Sequence, residues 1–343
     1  MNTGEIFSQL ANRGEPDLLT QLSMATWPPG VLRAAIKMDL FTKLKGKKLN
    51  SAEIAKELGA SDVHMEYFLN ACAAIGLLNK TGDQYQNASV SDTYLVEGEP
   101  RYMAEWVLFR TDAWTLWELL HVAVLTGDRI HHELEARQDL AGHWHSYMMS
   151  MHQLALSGQQ DVLVENVDLR GKRRLLDVAA GAASYSMAFC RAYPDLTAVV
   201  FDQEKALPLA RSLIEAEGLS QRISTLAGDW LATSYGSGYD AVLFSGCLCQ
   251  EPLEVCRKLI KKAYDSMISG GLIIVQDLLI MGPHTETHSG TALWSLAVRI
   301  FFGGRGGCHN ADDMAKVFTS VGFTSPKQIL LEGLHSVVTA VKP

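Results

Sequence analysis

Three stretches of this chain place acidic, glycine and aromatic residues where they could hold a nucleoside. Residues 175–178, Leu-Leu-Asp-Val, form a short apolar run that opens into the small-residue stretch Ala179-Ala180-Gly181-Ala182-Ala183-Ser184. Small residues let a ligand approach the backbone closely. About twenty residues past Gly181, Asp202 closes a second apolar run at 198–202, the distance at which a carboxylate accepts both hydroxyls of a ribose. A third run, 223–226, leads into Gly228-Asp229-Trp230, where the acid can take an adenine amino hydrogen and the indole can stack on the ring. Each feature alone has an ordinary structural explanation, in strand–helix packing or a helix cap. Their order and separation point to a nucleoside ligand. The residues expected to hold it are Asp177, Ala179, Gly181, Asp202, Gln203, Gly228, Asp229, Trp230 and Ser245.

Other side chains could do chemistry. Cys249 reads either as a nucleophile or as a small apolar residue lining a pocket. Cys247, Cys249 and Cys256 lack a standard zinc spacing, so no metal site is expected. His284 and His288 follow Gly282-Pro283 in a loop and do not form the metalloprotease pattern. His309 follows the glycine-rich run 303–307 and is a candidate base. Met148 and His152 lie on a helix rich in Trp, His and Met, read either as an acceptor contact or as helix–helix core. The aromatic segment 294–302, with Trp294 and Phe301, reads as a pocket lid or an interface helix for a bulky apolar or planar acceptor.

These residues need a scaffold. From Arg173 onward, strand-like runs at 175–178, 198–202, 241–244 and 272–277, with a further strand expected at 223–226, alternate with helical segments, which predicts a parallel, doubly wound Rossmann-like sheet. Ser336–Val341 reads as a last, antiparallel strand. The first 165 residues read as successive helices. Residues 51–85 predict helix, turn, helix and hairpin, with Ser51 as a cap and Met65, Phe68, Leu69, Cys72 and Ile75 on one face. That order describes a winged helix. The expected domains are therefore an N-terminal helical, winged-helix-like unit, 1–165, and a C-terminal α/β unit, 166–343.

The net charge of −8 disfavours nucleic acid as a partner. The winged helix carries Asp62 and Glu66 but no Lys or Arg over 62–75, so base reading is not expected of it. No apolar stretch reaches the roughly 18 residues of a membrane span, and Met1 to Pro16 lack a signal peptide's apolar region. The six cysteines do not form a secreted disulfide framework. A reduced, cytoplasmic protein without membrane contact is expected.

The chain resembles the class I S-adenosylmethionine-dependent small-molecule O-methyltransferases of plant phenolic and bacterial polyketide pathways, and the bacteriochlorophyllide C-methyltransferases of the same branch. The resemblance rests on Leu176-Asp177-Val178, Arg191-Ala192-Tyr193-Pro194, Val200-Phe201-Asp202, Gly228-Asp229, Ser269-Gly270-Gly271 and the tail Ala340-Val341-Lys342-Pro343. It implies S-adenosylmethionine as cofactor, a homodimer formed by the N-terminal unit, and a Met with aromatic residues near 143–152 over the acceptor. It also implies a glycine at three alternate loop positions, here Ala179, Gly181 and Ala183. Where the family has a His base, the aligned residue is Cys249. The first of two orienting acids falls on Asp277 and the second on Gly306.

Methyl transfer is an in-line displacement and needs a base only when the acceptor's proton is held tightly. Loss of the His therefore predicts transfer driven mainly by alignment, to a C-, S- or acidic-phenol O-site on a small hydrophobic or planar acceptor. A Cys249 thiolate facing a sulfonium would have a lowered pKa. The alternative is an enzyme of this fold that uses the bound cofactor for rearrangement, hydroxylation or elimination.

Overall fold

The computed structural model describes residues 17–130, 140–282, 289–300, 303, 305–331 and 335–343. The chain divides into two compact units, Met1–Trp114 and Thr115–Pro343. The sequence pattern changes later, near residue 165. The difference arises because the helical stretch before 165 packs with the sheet unit: Leu163, Val167 and Leu169 share one core with Leu175, Phe189 and Leu243.

The first unit contains α1 (Asp17–Met24), α2 (Trp27–Lys37), α3 (Leu40–Leu44), β1 (Leu49–Asn50), α4 (Ser51–Leu58), α5 (Met65–Ala74), β2 (Leu78–Thr81), β3 (Gln84–Asn87), α6 (Ser89–Tyr94) and α7 (Ala104–Asp112). The expected winged helix is present, with β1 adding a strand in the order β1-β3-β2. The cap of α4 is Asn50, one residue before the expected Ser51. Its side chain accepts the Glu53 N–H at 3.0 Å, and Glu53 accepts the Asn50 N–H at 2.8 Å. This reciprocal pairing satisfies two amides that the helix start leaves free. Met65, Leu69 and Cys72 of α5 are buried against Leu40, Phe41 and Tyr85, while Glu66 and Tyr67 face outward.

The second unit contains α8 (Leu120–Thr126), α9 (Leu140–Leu154), α10 (Gln160–Asn166), β4 (Arg174–Val178), α11 (Ser184–Ala192), β5 (Thr197–Asp202), α12 (Leu207–Ala216), β6 (Ile223–Ala227), β7 (Tyr239–Ser245), α13 (Leu253–Ser266), β8 (Met267–Asp277), α14 (Ser289–Ile300), α15 (Ala311–Val321), β9 (Thr324–Leu330) and β10 (Ser336–Val341). Seven strands form one sheet in the order β6-β5-β4-β7-β8-β10-β9. The first five of these pair in parallel, and β10 runs antiparallel to both β8 and β9. Alternate residues of each strand feed opposite faces. Leu176 and Val178 join one core with Phe244, Leu259 and Phe318, while Leu175 joins the other with Val200, Phe189 and Ile214. Strand order reverses between β4 and β7, so a crevice opens beyond their carboxyl ends.

Candidate active site

A cavity of about 230 Å³ occupies that crevice. Asp177, Ala179, Gly181, Asp202, Gln203, Gly228, Trp230 and Ser245 line it, as do Met148 and His152. Eight of the nine expected nucleoside contacts are thus brought together. Asp229 is not on the wall. It is turned into its own loop, where Oδ1 accepts the N–H groups of Leu231 and Ala232, both at 2.8 Å. Trp230 is the residue of that turn that faces the cavity, together with Gly228.

The small-residue loop keeps its shape despite the two alanines. Ala179, Gly181 and Ala183 all adopt left-handed φ, at 56°, 58° and 63°. For an alanine this costs on the order of 1–2 kcal/mol. Neighbouring contacts hold the loop there. The Gly181 N–H donates to Asp202 Oδ2 at 2.8 Å, and the Ala179 N–H to the Phe201 carbonyl at 2.8 Å. Met148 closes over it: a β-carbon at Gly181 would meet its methyl at 3.3 Å. His152 Nδ1 lies 2.8 Å from Ser184 Oγ at the loop's end. Met148 and His152 therefore brace the loop.

Two carboxylates meet at this end. Asp202 accepts the Gln203 N–H at Oδ1 (2.6 Å), and burial raises its pKa. Asp177 is 1% exposed. Its Oδ2 accepts from Ser186 Oγ at 2.7 Å, but Oδ1 is buried without a hydrogen-bond partner. Burial, reinforced by the Asp202 charge, pushes the Asp177 carboxyl up to about 7. A buried acceptor of this kind is costly unless a ligand donates to it.

The other end of the cavity holds groups that sequence reasoning missed: Tyr185, Gln159, Gln250, Cys247 and His335. A π-helical turn, Ala155–Gln159, kinked at Gly158 (φ 134°), connects α9 to α10 and carries Gln159 to the wall. There it accepts a hydrogen bond from Tyr185 Oη at 3.2 Å. Ser245 Oγ donates to Gln276 Oε1 at 2.8 Å. His335 stands immediately before β10, whose first residue, Ser336, pairs with Asp277. The His335 Nδ1 is buried and unpartnered, and burial lowers its pKa against an opposing pull from Asp277.

The expected catalytic residues lie behind this wall. Cys249 is 2% exposed, does not line the cavity, and has its thiol pushed well above the ordinary value by burial and by Asp277. It is neither a thiolate nor a pocket residue, and Trp294 of α14 opposes the rise of its thiol only in part. Asp277 accepts the Cys249 N–H at 3.0 Å and the Leu278 N–H at 2.9 Å, so it fastens backbone. The ring Nε2 of His309 lies 3.1 Å from the Leu248 carbonyl, 3.0 Å from that of Glu251 and 3.5 Å from Cys256 Sγ. That nitrogen faces the 248–251 turn, and His309 does not line the cavity, so the structure does not bring this candidate base to the crevice. Gly306 cannot carry the second acid, because a β-carbon there would lie 2.4 Å from the Cys249 carbonyl oxygen. The Gly306 N–H donates to the Gln250 carbonyl at 3.1 Å and that of Gly307 to the Cys249 carbonyl at 2.8 Å. Backbone contacts thus leave no room for an acidic side chain at position 306. Phe301, His284 and His288 lie outside the described residues. Among the described residues no three His, Cys, Asp or Glu side chains form a metal-holding group, and no helix is long and apolar enough to cross a membrane.

A seven-stranded sheet in this order, with a nucleoside-sized crevice at its switch point, defines the Rossmann-like methyltransferase class. Residues 102–324 match the O-methyltransferase domain, and residues 20–97 the O-methyltransferase dimerisation domain. The chain belongs to the O-methyltransferase family and is an S-adenosylmethionine-dependent methyltransferase of small molecules. It is 33% identical to 3-hydroxy-5-methyl-1-naphthoate 3-O-methyltransferase of Streptomyces sahachiroi, over 77% of this chain and 78% of that one. It is 28% identical to L-tyrosine C(3)-methyltransferase of Streptomyces lavendulae, over 71% and 69%. Its fold is similar to that of human N-acetylserotonin methyltransferase solved with its cofactor: TM-score 0.83 at 20% identity, over 96% and 99% of the two chains.

Proposed function

We propose that this enzyme methylates an acidic phenolic hydroxyl on a small, planar, largely apolar acceptor. The observation that carries the reading is the two-ended cavity. One end has the build of a nucleoside and amino-acid clasp, the other carries neutral hydrogen-bonding groups. The residues present fit S-adenosylmethionine. Asp202 suits the ribose hydroxyls, Trp230 the adenine, and the orphaned Oδ1 of Asp177 a cationic amino group. Bound there, the cofactor supplies a methyl group on a positively charged sulfur.

The chain's own part is orientation and exclusion of water. Trp144, Tyr147, Met151, Leu154 and Phe201 give the cavity apolar walls. Tyr185, Gln159, Ser245 and Gln250 supply the polar contacts that would orient an acceptor's ring substituents. Cys249, Asp277 and Trp294 act by supporting the wall from behind. The naphthoate specificity named for the Streptomyces sahachiroi relative supports a bicyclic phenol as acceptor. The dimerisation domain and the exposed Leu18, Leu19 and Leu22 on α1 support a homodimer.

The test is incubation with S-adenosylmethionine and a panel of hydroxynaphthoates, phenols, and matched C- and S-nucleophiles, read by mass for one added methyl group. Methylated phenol is the expected product. Transfer only to carbon or sulfur, or no transfer with cofactor bound, would overturn the reading.

A further inference from the structure

We infer that His335 accepts the proton of the hydroxyl that is methylated. This rests on the phenol reading above and supplies the base that the family position at Cys249 no longer provides.

The argument begins with what the cavity offers. Its titratable lining groups include His152 on α9, Asp177 on β4, Tyr185 on α11, Asp202 on β5, Cys247 after β7, and His335. Asp177 and Asp202 sit on adjacent strands at the cofactor end and are engaged with Ser186, Gly181 and Gln203. His152 is committed to Ser184 beside the loop. Tyr185 donates to Gln159, and burial pushes its hydroxyl up to about 12, so it stays protonated. Cys247 is buried, with its thiol raised well above the ordinary value. His335 differs from all of these, because its Nδ1 is buried without a hydrogen-bond partner.

Position supports the same choice. In the strand order β5-β4-β7-β8-β10, Asp202 ends β5 and His335 precedes β10, so they stand toward opposite ends of the cavity. Because β10 is antiparallel, its start lies at the carboxyl end of β8, beside Asp277. Burial keeps the imidazole neutral, able to take a proton, and the Asp277 carboxylate favours the imidazolium that results. Asp277 thus keeps an orienting charge in play although the residue it once would have served is a cysteine. The other charged groups of the cavity, Asp177 and Asp202, belong to the far strands.

The step balances. The hydroxyl proton passes to an imidazole nitrogen of His335. The oxygen–methyl bond forms as the sulfur–methyl bond breaks, and that electron pair stays on sulfur, which becomes a neutral thioether. The proton then leaves the imidazolium for water.

The experiment uses the full-length chain and two variants, His335→Gln and His335→Asn. Two probes are compared: a hydroxynaphthoate protonated at the assay pH, and a nitro-substituted phenol already ionised there. In the variants, kcat on the protonated probe is expected to fall on the order of 100-fold, with KM little changed. The ionised probe should be methylated at near the wild-type rate. The low-pH limb of the wild-type rate profile should be replaced by one that follows the probe's own ionisation. Independently of turnover, NMR of labelled histidines with S-adenosylhomocysteine bound should show one imidazole titrating below the ordinary histidine range and missing in both variants. Equal loss on both probes from proteins that melt normally, or no loss on either, would overturn the proposal. So would a His335 imidazole that is already charged at neutral pH. If the wild-type enzyme methylates neither probe while the NMR result holds, the phenol reading fails and the availability of His335 as a base stands.

Discussion

Ala183 provides a sharp physical test of the loop. It is fully buried, precedes α11, and has φ 63°. Replacing it with glycine removes a buried methyl, worth about 0.8 kcal/mol. It also loosens the unfolded chain, at a cost of about 0.4–1 kcal/mol. Against these, the left-handed strain of about 1–2 kcal/mol disappears. The terms nearly cancel, so Ala183→Gly should leave stability within about 0.5 kcal/mol of the parent. Ala210 is the control, equally buried but in the middle of α12. There glycine costs about 1 kcal/mol in helix propensity beyond the lost methyl, or about 2 kcal/mol together. Two substitutions of identical composition should thus differ by about 2 kcal/mol, or roughly 4–8 °C in the melting of a unit this size. Thermal unfolding of the full chain, followed by circular dichroism, reads the difference. If Ala183→Gly falls as far as Ala210→Gly, the loop is not held in the left-handed form and the fit to a cofactor loses its basis.

Further outcomes follow from the same geometry. Asp202→Asn should weaken S-adenosylhomocysteine binding roughly 10- to 100-fold, read by calorimetry, since hydrogen bonds to a charged group contribute about 1.5–3 kcal/mol. All six thiols are held above their ordinary pKa by burial. Iodoacetamide at neutral pH should therefore label none of them rapidly in the folded protein and all of them in denaturant, and Cys249→Ser should keep kcat within about threefold of the parent. Asp177, with a pKa of about 7 in the free protein, should lose its proton when a cationic amino group arrives. Cofactor affinity should then rise with pH up to about 7 and level off above it, with proton release visible as a buffer-dependent binding heat. The same raised pKa makes the free fold's stability from this group greatest below pH 4, declining as pH climbs to about 7.

The sheet was legible because parallel strands covered on both faces read as continuous apolar runs. β4, β5, β7, β8 and the antiparallel β10 all stand out in this way, while β6, at one edge, was legible from its place between helical segments. β9 did not, because six of its seven residues are exposed and it contains Pro326 and Lys327. Those are marks of a sheet edge, where no core imposes an apolar pattern. Eight of the nine residues expected around a nucleoside line the cavity because they sit at strand ends in a fixed order. Asp229 kept the right sequence position, but its local turn captured its carboxylate. The acceptor end was not readable. Alignment put Cys249 at the base position, yet burial is set by the backbone zipper from Gly306 and Gly307, which no spacing announces. His335 is a lone histidine before the last strand. Only the antiparallel pairing of β10 with β8 carries it to the cavity.

The most direct test of the central claim is calorimetric titration of the purified, reduced protein with S-adenosylmethionine and, separately, with S-adenosylhomocysteine. Saturable binding of both is predicted, at one molecule per chain, with the demethylated product at least as tight. Binding of the methylated form alone would contradict turnover by methyl transfer. No heat with either, from protein that still unfolds cooperatively, would contradict the assignment of the Asp177–Gly181–Asp202 cavity as the cofactor site.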